Sequence, residues 1–331
     1  MKLPSEAEKL LLPPAPVGKF VPDQYDIEMA DLVVPWREAA RADIGLVGIP
    51  FDTAVVIRRG CRFGPDGIRA ALAMSTSYEP GLDVDLSTKS VVITDFGNVD
   101  AMQTDVLETH RRVEVVLTEI RRAGVTPLVL GGDHSLAYPN IKSLINVTGG
   151  PIGVINIDAH LDLRISHHGE ISSGTPFRRL LELPGQPLHP RNFVEIGING
   201  WHNSAFYMGY AREKGIRVIP AREVHQRGIE AIVKEALDRA TSGGVKALYL
   251  SFDIDGLDMA AAPGTCAPNA GGLTAYQGLE AVWLIGQHPL CQGFDVMEVA
   301  PPLDILGLTS TMGAALAMHF IGARARARSA T

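Results

Sequence analysis

Seven short apolar runs, rich in β-branched residues and bounded by turn-forming residues, recur along residues 44–299. Within each run the hydrophobicity is continuous rather than alternating, which is typical of strands that are covered on both faces. Such strands belong to a parallel sheet enclosed by helices. The runs are "IGLVGIP", "VVITDFG", "TPLVLGG", "IGVINID", "FVEIGI", "ALYLSFDID" and "GFDVMEV".

Helical stretches lie between these runs. The clearest is "TDVLETHRRVEVVLTEIRRAG", in which Thr104 is placed to cap the first turn and Gly124 to end the last. Strands that alternate with helices predict an α/β layer fold with a mainly parallel sheet. No linker interrupts residues 40–325, so we expect one domain over residues 41–331, preceded over residues 1–40 by an arm that lies on the body or on a neighbouring subunit.

The charge of the chain restricts its partners. A net charge of -7 argues against nucleic acid or an anionic membrane as a partner, because phosphate groups require a basic surface. Three widely spaced cysteines without a CxxC pair predict reduced, mostly buried thiols rather than a disulfide framework or a zinc knuckle. The N-terminus contains no long apolar segment, so we expect a cytoplasmic protein with a small-molecule partner.

Polar residues follow four of the predicted strands. Asp133 and His134 follow one strand, Asp158, His160 and Asp162 a second, Asp253 and Asp255 a third, and Glu298 a fourth. Ligand sites in parallel sheets gather at the carboxyl ends of strands. In an extended segment, alternate residues share a face, so the second and third groups can each converge on one point. A single strand-end Asp or His is usually a cap, but caps do not explain four such groups.

Carboxylates that converge in this way require positive charge among them, since they would otherwise repel one another. Two divalent metal ions meet that requirement. Oxygen-rich ligation with two imidazoles suits Mn²⁺, with Ni²⁺, Co²⁺ or Zn²⁺ as alternatives. Paired metals lower the pKa of a shared water molecule, so the pattern indicates a hydrolase. The glycines of "GGDH" are only a weak signal for a phosphate loop, because no GxGxxG or GKS/T motif accompanies them.

Taken together, "GGDHS", "NIDAHLD", "SFDIDGLD" and "EVAPPLD" resemble the signature motifs of the ureohydrolase family, which comprises arginases, agmatinases and formiminoglutamases. The segment "GCRFGPDGIR" also resembles the entry of that family to its first helix, so the resemblance covers residues 43–322. It implies a three-layer α/β/α fold around an eight-stranded, mainly parallel sheet. It also implies a pair of Mn²⁺ ions and a homo-oligomer, either a hexamer or a trimer; a hetero-oligomer with a related chain is an alternative.

The resemblance also implies roles for individual residues. His134, Asp158, Asp162 and Asp253 match the ligands of one metal, and Asp158, His160, Asp253 and Asp255 match those of the other. Glu298 matches the carboxylate that binds the guanidinium group of the substrate. In the implied reaction a hydroxide that bridges the metals attacks the guanidino or amidino carbon, and Asp255 passes its proton to the leaving amine.

One departure of this chain from the pattern of the ureohydrolase family concerns proton transfer. Arginases and agmatinases carry a His just before the position of Gly174, whereas this chain has Ser173. Formiminoglutamases resemble this chain there, since they share "SGTPF", "LDLR" and a segment like "HNSAFY". His167 or His168 in the same loop is a candidate for the absent imidazole, and we expect His168 in this role.

A second departure concerns the substrate. Most of these families carry an Arg at the position of Asn199, and in formiminoglutamases it would suit the carboxylates of the substrate. Its loss favours a small guanidine without a carboxylate, such as agmatine, guanidine, an alkylguanidine or a biguanide, with Arg164 and Ser173 near the substrate. Trp201 either covers a cationic nitrogen of the substrate or packs in the core or at a subunit interface.

Three other functions compete with this hypothesis. The first is a formiminoglutamase that releases formamide instead of urea. The second is a deacetylase of the same broad fold with a single Zn²⁺, which the combination of His134, Asp253 and Asp255 disfavours. The third is a non-catalytic or regulatory subunit of a ureohydrolase assembly, which the complete set of metal ligands disfavours.

Overall fold

The computed structural model describes residues 5–12, 25–88, 90–166 and 170–329. The strands within these ranges are β1 (Leu11–Leu12), β2 (Val33–Pro35), β3 (Ile44–Gly48), β4 (Tyr78–Glu79), β5 (Val84–Asp85), β6 (Ile93–Val99), β7 (Thr126–Leu130), β8 (Ile152–Ile157), β9 (Leu188–Ile198), β10 (Arg217–Pro220), β11 (Ala247–Asp253) and β12 (Cys291–Met297). The helices are α1 (Ser5–Lys9), α2 (Met29–Leu32), α3 (Gly64–Ala73), α4 (Val106–Arg122), α5 (Ala137–Thr148), α6 (Pro176–Leu181), α7 (Ala205–Lys214), α8 (Ala221–Arg227), α9 (Ile229–Ala240), α10 (Ala275–Gly286) and α11 (Leu308–Ser329).

The main sheet has the strand order β1-β6-β3-β7-β12-β11-β8-β9-β10, and β2 pairs with β6. The eight strands from β6 to β10 in this order all run parallel, as the sequence predicts. Among the described residues, the main sheet has ten strands rather than the expected eight. The N-terminal segment adds two short strands, β1 antiparallel and β2 parallel to β6. All seven apolar runs form strands, whereas the short β10 was not predicted.

Alternate side chains of each central strand enter different hydrophobic cores on the two sides of the sheet. Leu128 and Leu130 of β7 pack in a core with α3 and α8 to α11, whereas Val129 packs in a second core with α4. In the same way, Leu250 of β11 faces the first core and Tyr249 faces a third core, formed with α5, α6 and α7. The strands are therefore buried on both faces, and the three-layer α/β/α fold is confirmed.

Helix α4 begins one residue later than the sequence suggests. The N-cap is Asp105, whose side chain accepts a hydrogen bond of 2.9 Å from the backbone N–H of Glu108, so the prediction of Thr104 as the cap was wrong. At the other end of the helix, Gly124 has φ +80°, a backbone conformation that favours glycine. The second predicted helix is also present, as α9.

The described parts of the N-terminal segment contact the body of the protein. Leu11, Met29 and Trp36 are all buried. The division of the chain at residue 40 remains a prediction. Among the described residues, no helix combines the length and the hydrophobicity that crossing a bilayer would require.

The four strands that carry the polar motifs are neighbours. Strands β7, β12, β11 and β8 lie side by side in this order in the middle of the sheet. Their carboxyl ends therefore meet at one edge, which brings together residues that are more than 150 positions apart in the sequence, such as His134 and Glu298.

Candidate metal centre and active-site cavity

The Nδ1 atom of His134 lies at the centre of three carboxylates. The nearest oxygens are Oδ2 of Asp158 at 3.1 Å, Oδ2 of Asp162 at 3.0 Å and Oδ2 of Asp253 at 3.2 Å. None of them is placed to accept a hydrogen bond from this nitrogen, which is buried without a partner among the described residues. One buried nitrogen surrounded by three carboxylate oxygens fits a shared metal ion better than a hydrogen-bonded network.

A second cluster adjoins the first. Nδ1 of His160 lies 3.1 Å from Oδ2 of Asp255 and 3.5 Å from Oδ1 of Asp158. Asp158 turns its other oxygen, Oδ2, towards His134, so the two clusters share this residue. The structure therefore brings all six predicted metal ligands together, and the arrangement fits two adjacent ions with Asp158 between them. The assignment of individual ligands to each ion remains a prediction.

Electrostatics requires a cation at this place. Burial raises the pKa of Asp253 well above its usual value, and the charges of Asp255 and Asp158 raise it further. Burial together with the charge of Asp158 also raises the pKa of Asp162 to about 6. Ionising these carboxylates together in a buried site is unfavourable unless positive charge is bound among them. Oxygen and imidazole donors without a thiolate suit Mn²⁺, as the sequence predicts.

A hydrogen-bonded relay orients His134. Nε2 of His134 lies 3.0 Å from the hydroxyl of Ser251, and that hydroxyl donates a 2.7 Å hydrogen bond to Asp295 Oδ1. Because the Ser251 hydroxyl donates to Asp295, its oxygen remains available to accept the N–H of His134 Nε2. This tautomer, which we infer from the hydrogen bonds, leaves the lone pair of Nδ1 directed at the carboxylates. The hydroxyl of Tyr249 and the amide of Asn140 both donate to Asp295 Oδ2 at 2.9 Å.

The hydrogen-bonded contacts that orient His160 are longer than those that orient His134. Its Nε2 lies 3.4 Å from the side-chain amide nitrogen of Asn269, whose oxygen lies 3.4 Å from Nδ1 of His202. His160 is therefore held by neighbours at the wall of the cavity, whereas His134 is held by the core of the sheet.

The glycines before His134 permit close packing. A Cβ atom at Gly132 would lie 1.8 Å from the carbonyl oxygen of Phe51, and one at Gly131 would lie 2.2 Å from the sulfur of Met297. Asp133 then accepts hydrogen bonds from the backbone N–H groups of Ser135 and Ala54. The segment "GGDH" thus serves to place His134 beside the neighbouring strand, which explains it without a bound phosphate.

Glu298 offers one free oxygen to the site. Its Oε1 accepts a 2.8 Å hydrogen bond from the backbone N–H of His134, whereas Oε2 is buried without a partner among the described residues. The residue has φ +64°, a conformation that is uncommon outside glycine and frequent at functional sites. Burial raises the pKa of Glu298 to about 8, and the charge of Asp133 contributes to that rise. A cationic group beside Oε2 would favour the ionised form of Glu298.

A cavity of about 220 Å³ opens above the two clusters. Its polar floor includes His160, Asp162, Asp253, Asp255 and Glu298. The walls are mostly apolar, and they consist largely of Val55, Val56, Ile57, Leu161, Leu163, Tyr207, Cys266 and Ala267.

Arg164 and Ser173, both predicted near the substrate, also line this cavity. Arg164 is the one lysine or arginine among the described lining residues, and its guanidinium carbon lies 5.7 Å from the ring centroid of Tyr207. A Cβ atom at Gly174 would lie 2.8 Å from Cδ of Arg164, so glycine leaves room for the Arg164 side chain in its present position. No ion pair links Arg164 to a carboxylate of the described residues, so its charge is available to a ligand.

Two other predicted substrate contacts lie elsewhere. Trp201 is fully exposed, and neither it nor Asn199 belongs to the described residues that line the cavity. Trp201 therefore does not pack in the core of this chain, whereas its place at a subunit interface and the substrate contacts of both residues remain predictions. The backbone carbonyl of Asn199 accepts a 2.8 Å hydrogen bond from Asn203, which does line the cavity. His167 and His168 lie outside the described residues, so the proton-transfer role of His168 remains a prediction.

Several residues of the site were not identified from the sequence. Ser251 and Asp295 carry the relay to His134, and each lies on a strand two or three residues before a residue that was identified, Asp253 or Glu298. For Ser251 the alternating position before Asp253 was the available signal, since residues i and i+2 share a face of a strand, whereas Asp295 has no such spacing to Glu298. Asn269 and Tyr207 lie on loops or helices whose approach to the cavity depends on tertiary folding.

Comparisons with known proteins agree with this geometry. A family model described as the arginase family matches residues 42–322. The formimidoylglutamase of Halalkalibacterium halodurans is 34% identical over 90% of this chain and 92% of its own length. The guanidinobutyrase of Pseudomonas aeruginosa is 36% identical over 83% of this chain and 84% of its own length.

Solved structures give the same result for the fold. The crystal structure of formimidoylglutamase from Bacillus subtilis has a TM-score of 0.87 and 30% identity, covering 94% of this chain and 96% of that chain. A crystal structure of Trypanosoma cruzi formiminoglutamase with Mn²⁺ has a TM-score of 0.82 and 28% identity, covering 91% of this chain and 99% of that chain.

We expect Asp253→Ala to lose metal binding, because a carboxylate at the centre of the cluster disappears while its charged neighbours remain. Elemental analysis of protein dialysed against Mn²⁺ is expected to give two ions per chain for the unchanged protein and fewer than one for the variant. Asp238→Ala is the control, since Asp238 is exposed on α9 and pairs only with Lys234 among the described residues. Full metal content in Asp253→Ala would contradict the proposed centre.

The relay to His134 gives a second prediction. Ser251→Ala should leave Nε2–H of His134 without an acceptor and weaken Mn²⁺ binding by roughly 10- to 100-fold, the usual effect of losing an outer-sphere partner. Calorimetric titration with Mn²⁺ measures this change. Ser310→Ala is the control, because the Ser310 hydroxyl is also buried but donates to Asp304, outside the relay. Equal affinities for the two variants would show that the relay has no influence on the metal.

Proposed function

Because the chain belongs to the arginase family, whose members hydrolyse C–N bonds of amidines and guanidino compounds, we propose that it hydrolyses a small guanidino compound with the aid of two metal ions. The observation that carries this proposal is the arrangement of the cavity. The metal-binding cluster and the free Oε2 of Glu298 form its floor, and the cation of Arg164 lies in its wall.

The six ligands His134, Asp158, His160, Asp162, Asp253 and Asp255 would hold the metal pair. When bound, such a pair would supply Lewis-acid activation of the substrate and of water at neutral pH. We propose Mn²⁺ as the ion that occupies the site, with Ni²⁺ as the alternative, because both accept these ligands.

Glu298 is the proposed anchor for the guanidinium group. A carboxylate and a planar guanidinium form charge-assisted hydrogen bonds, and the unpartnered Oε2 is the one strong acceptor that Glu298 still offers. Since Oε1 is held by the backbone of His134, the carboxylate cannot turn away from the metal cluster. A guanidinium bound to Oε2 is therefore fixed next to the reacting centre.

Asp255 is the proposed proton carrier. It lines the cavity, its Oδ2 faces His160, and its Oδ1 accepts a 3.3 Å hydrogen bond from the backbone N–H of Ala159. Burial raises the pKa of Asp255, which makes protonation of the carboxylate easier than in water. A carboxyl group in this state can receive a proton from the attacking water and deliver it to the departing amine.

Arg164 is the proposed selector of the opposite end of the substrate. Its guanidinium group has no ion-pair partner among the described residues and lies against Tyr207 at the wall. A ligand carboxylate would supply the missing partner. Agmatine is disfavoured for the same reason, because its second cationic group would approach Arg164.

The number of cationic side chains in the cavity distinguishes between substrates with one carboxylate and substrates with two. Formiminoglutamate has two carboxylates, whereas the described lining residues include one arginine and no lysine. We therefore propose a guanidino acid with a single carboxylate, the class to which the names guanidinobutyrase and guanidinopropionase of two relatives refer. The sequence, by contrast, predicts a substrate without a carboxylate, because an arginine is absent at position 199.

An alkylguanidine without a carboxylate is the second candidate. The apolar walls formed by residues such as Val55, Ile57 and Leu163 favour it, since an alkyl chain would be removed from water there. Incubating Mn²⁺-loaded protein with guanidinobutyrate, an alkylguanidine, agmatine and formiminoglutamate, and assaying both urea and formamide, tests all the candidates. Formamide from formiminoglutamate alone would overturn our choice, and no product from any substrate would support a non-catalytic subunit.

Glu298→Gln should leave two metal ions bound but lower kcat/KM by at least about 100-fold, because a neutral amide replaces the anionic partner of the guanidinium. Metal analysis and steady-state urea release measure the two properties on the same preparation. Glu280→Gln, on α10 and outside the described lining of the cavity, is the control. Unchanged kinetics of Glu298→Gln would remove its proposed role.

Arg164→Met keeps much of the side-chain volume and removes the charge. For a guanidino acid we expect KM to rise about tenfold or more, whereas the KM of an alkylguanidine of equal length should stay within about twofold. The ratio of the two effects is the informative quantity. An equal change for both substrates would mean that Arg164 shapes the cavity without recognising a carboxylate.

A further inference from the structure

Two of the three cysteines lie beside the proposed guanidinium anchor. The sulfur atoms of Cys61 and Cys266 and one carboxylate oxygen of Glu298 all lie within 4.8 Å of one another. All three residues are buried, with 3% exposure or less. This group is distinct from the six metal ligands, and the proposed reaction leaves both thiols without a role.

The cavity gives access to this group. Cys266 and Glu298 line it directly, whereas Cys61 lies behind them in a small apolar cluster with Ala300. Oε2 of Glu298 is a buried oxygen without a hydrogen-bond partner among the described residues. A cation that enters by the route of the substrate therefore meets a carboxylate first and two sulfur atoms next.

The backbone around the two cysteines is well held. Arg58 donates hydrogen bonds to the carbonyl oxygens of Thr265, at 2.7 Å, and Cys266, at 3.3 Å, which ties the loop before Cys61 to the loop of Cys266. Asp52 accepts a 2.8 Å hydrogen bond from the backbone N–H of Gly60, which fixes the turn that precedes Cys61. The two thiols therefore face each other as a result of the fold and do not depend on a flexible loop.

The chemistry of this group differs from that of the neighbouring metal centre. Two sulfur donors and one carboxylate suit Zn²⁺ or another thiophilic ion, whereas oxygen and imidazole donors suit Mn²⁺. Three protein ligands leave a fourth position of a tetrahedral ion open to water. Burial favours the neutral thiol, but coordination to a metal deprotonates a thiol outright.

We propose that Cys61, Cys266 and Glu298 form an inhibitory site for a thiophilic divalent cation such as Zn²⁺, in the wall of the substrate cavity. An ion bound there occupies the carboxylate that would hold the guanidinium, so it competes with the substrate and leaves the Mn²⁺ pair in place. The competition rests on the proposed role of Glu298, whereas the binding of the ion does not.

Binding is tested on Mn²⁺-loaded protein kept reduced with a phosphine. Cd²⁺ serves as the probe, because its bonds to thiolates absorb in the ultraviolet. We expect one additional Cd²⁺ per chain with this absorption and an unchanged Mn²⁺ content. Cys61→Ala and Cys266→Ala should each weaken this binding by at least about tenfold. Cys266→Ser is a second variant for the case that Cys266→Ala does not fold.

Cys291→Ala is the matched control. Cys291 is fully buried at the start of β12 and is absent from the described lining of the cavity. This variant should bind Cd²⁺ as the unchanged protein does. Equal binding by Cys266→Ala and Cys291→Ala would overturn the proposal, as would release of Mn²⁺ in step with Cd²⁺ uptake.

Inhibition is tested separately with Zn²⁺ and the best substrate of the panel. We expect Zn²⁺ to raise KM without lowering kcat in the unchanged protein and in Cys291→Ala, and to have at least tenfold less effect on Cys266→Ala, measured against the KM of that variant without Zn²⁺. A fall in kcat that is equal in all three proteins would overturn the inhibitory role. If no substrate is hydrolysed, the proposed function fails and the Cd²⁺ titration alone decides whether the thiol site exists.

Discussion

The repulsion among buried carboxylates is the constraint on which the site depends. Asp158, Asp162, Asp253, Asp255 and Glu298 meet in a small volume at one edge of the sheet. In a buried environment their ionised forms are mutually unfavourable unless cations lie between them. At neutral pH this edge is therefore unfavourable without compensating positive charge. A cation bound in the proposed centre would stabilise the folded state, which would link folding to metal binding.

The fold meets this constraint with rigid elements. The metal ligands follow adjacent parallel strands, which are covered on both faces and cannot move apart without opening a core. Close packing at Gly131 and Gly132 brings His134 to the cluster, and the relay through Ser251 and Asp295 fixes its ring. The sheet thus holds the carboxylates and His134 in place on one side of the cluster, and the other side is open to the cavity.

The sheet and the convergence of the six candidate ligands could be predicted from the sequence because both follow from local patterns. Continuous apolar runs identify buried strands, and alternating Asp and His residues at strand ends identify converging ligands. The relay to His134 was not predicted, because Ser251 and Asp295 lie on different strands and their contact depends on sheet order. The strands β1, β2 and β10 were not predicted because each is too short to show a periodic pattern of hydrophobic residues. The positions of Asn199 and Trp201 relative to the cavity depend on how a loop turns after β9, and a local pattern does not contain that information.

The proposed substrate contact and one of the proposed metal ligands lie on one segment of the chain, which would restrict how specificity can change. Arg164 follows the ligand Asp162 by two residues, and Asp162 has φ +47°, so the backbone turns sharply between the metal and the proposed specificity residue. The stem of Arg164 also packs where a side chain at position 174 would lie. A larger residue at position 174 would therefore require the side chain of Arg164 to shift. Residues farther from this turn, such as Val56 and Ala267 in the cavity walls, can vary without a shift of Arg164. We infer that the length and hydrophobicity of the accepted substrate are easier to alter than its charge.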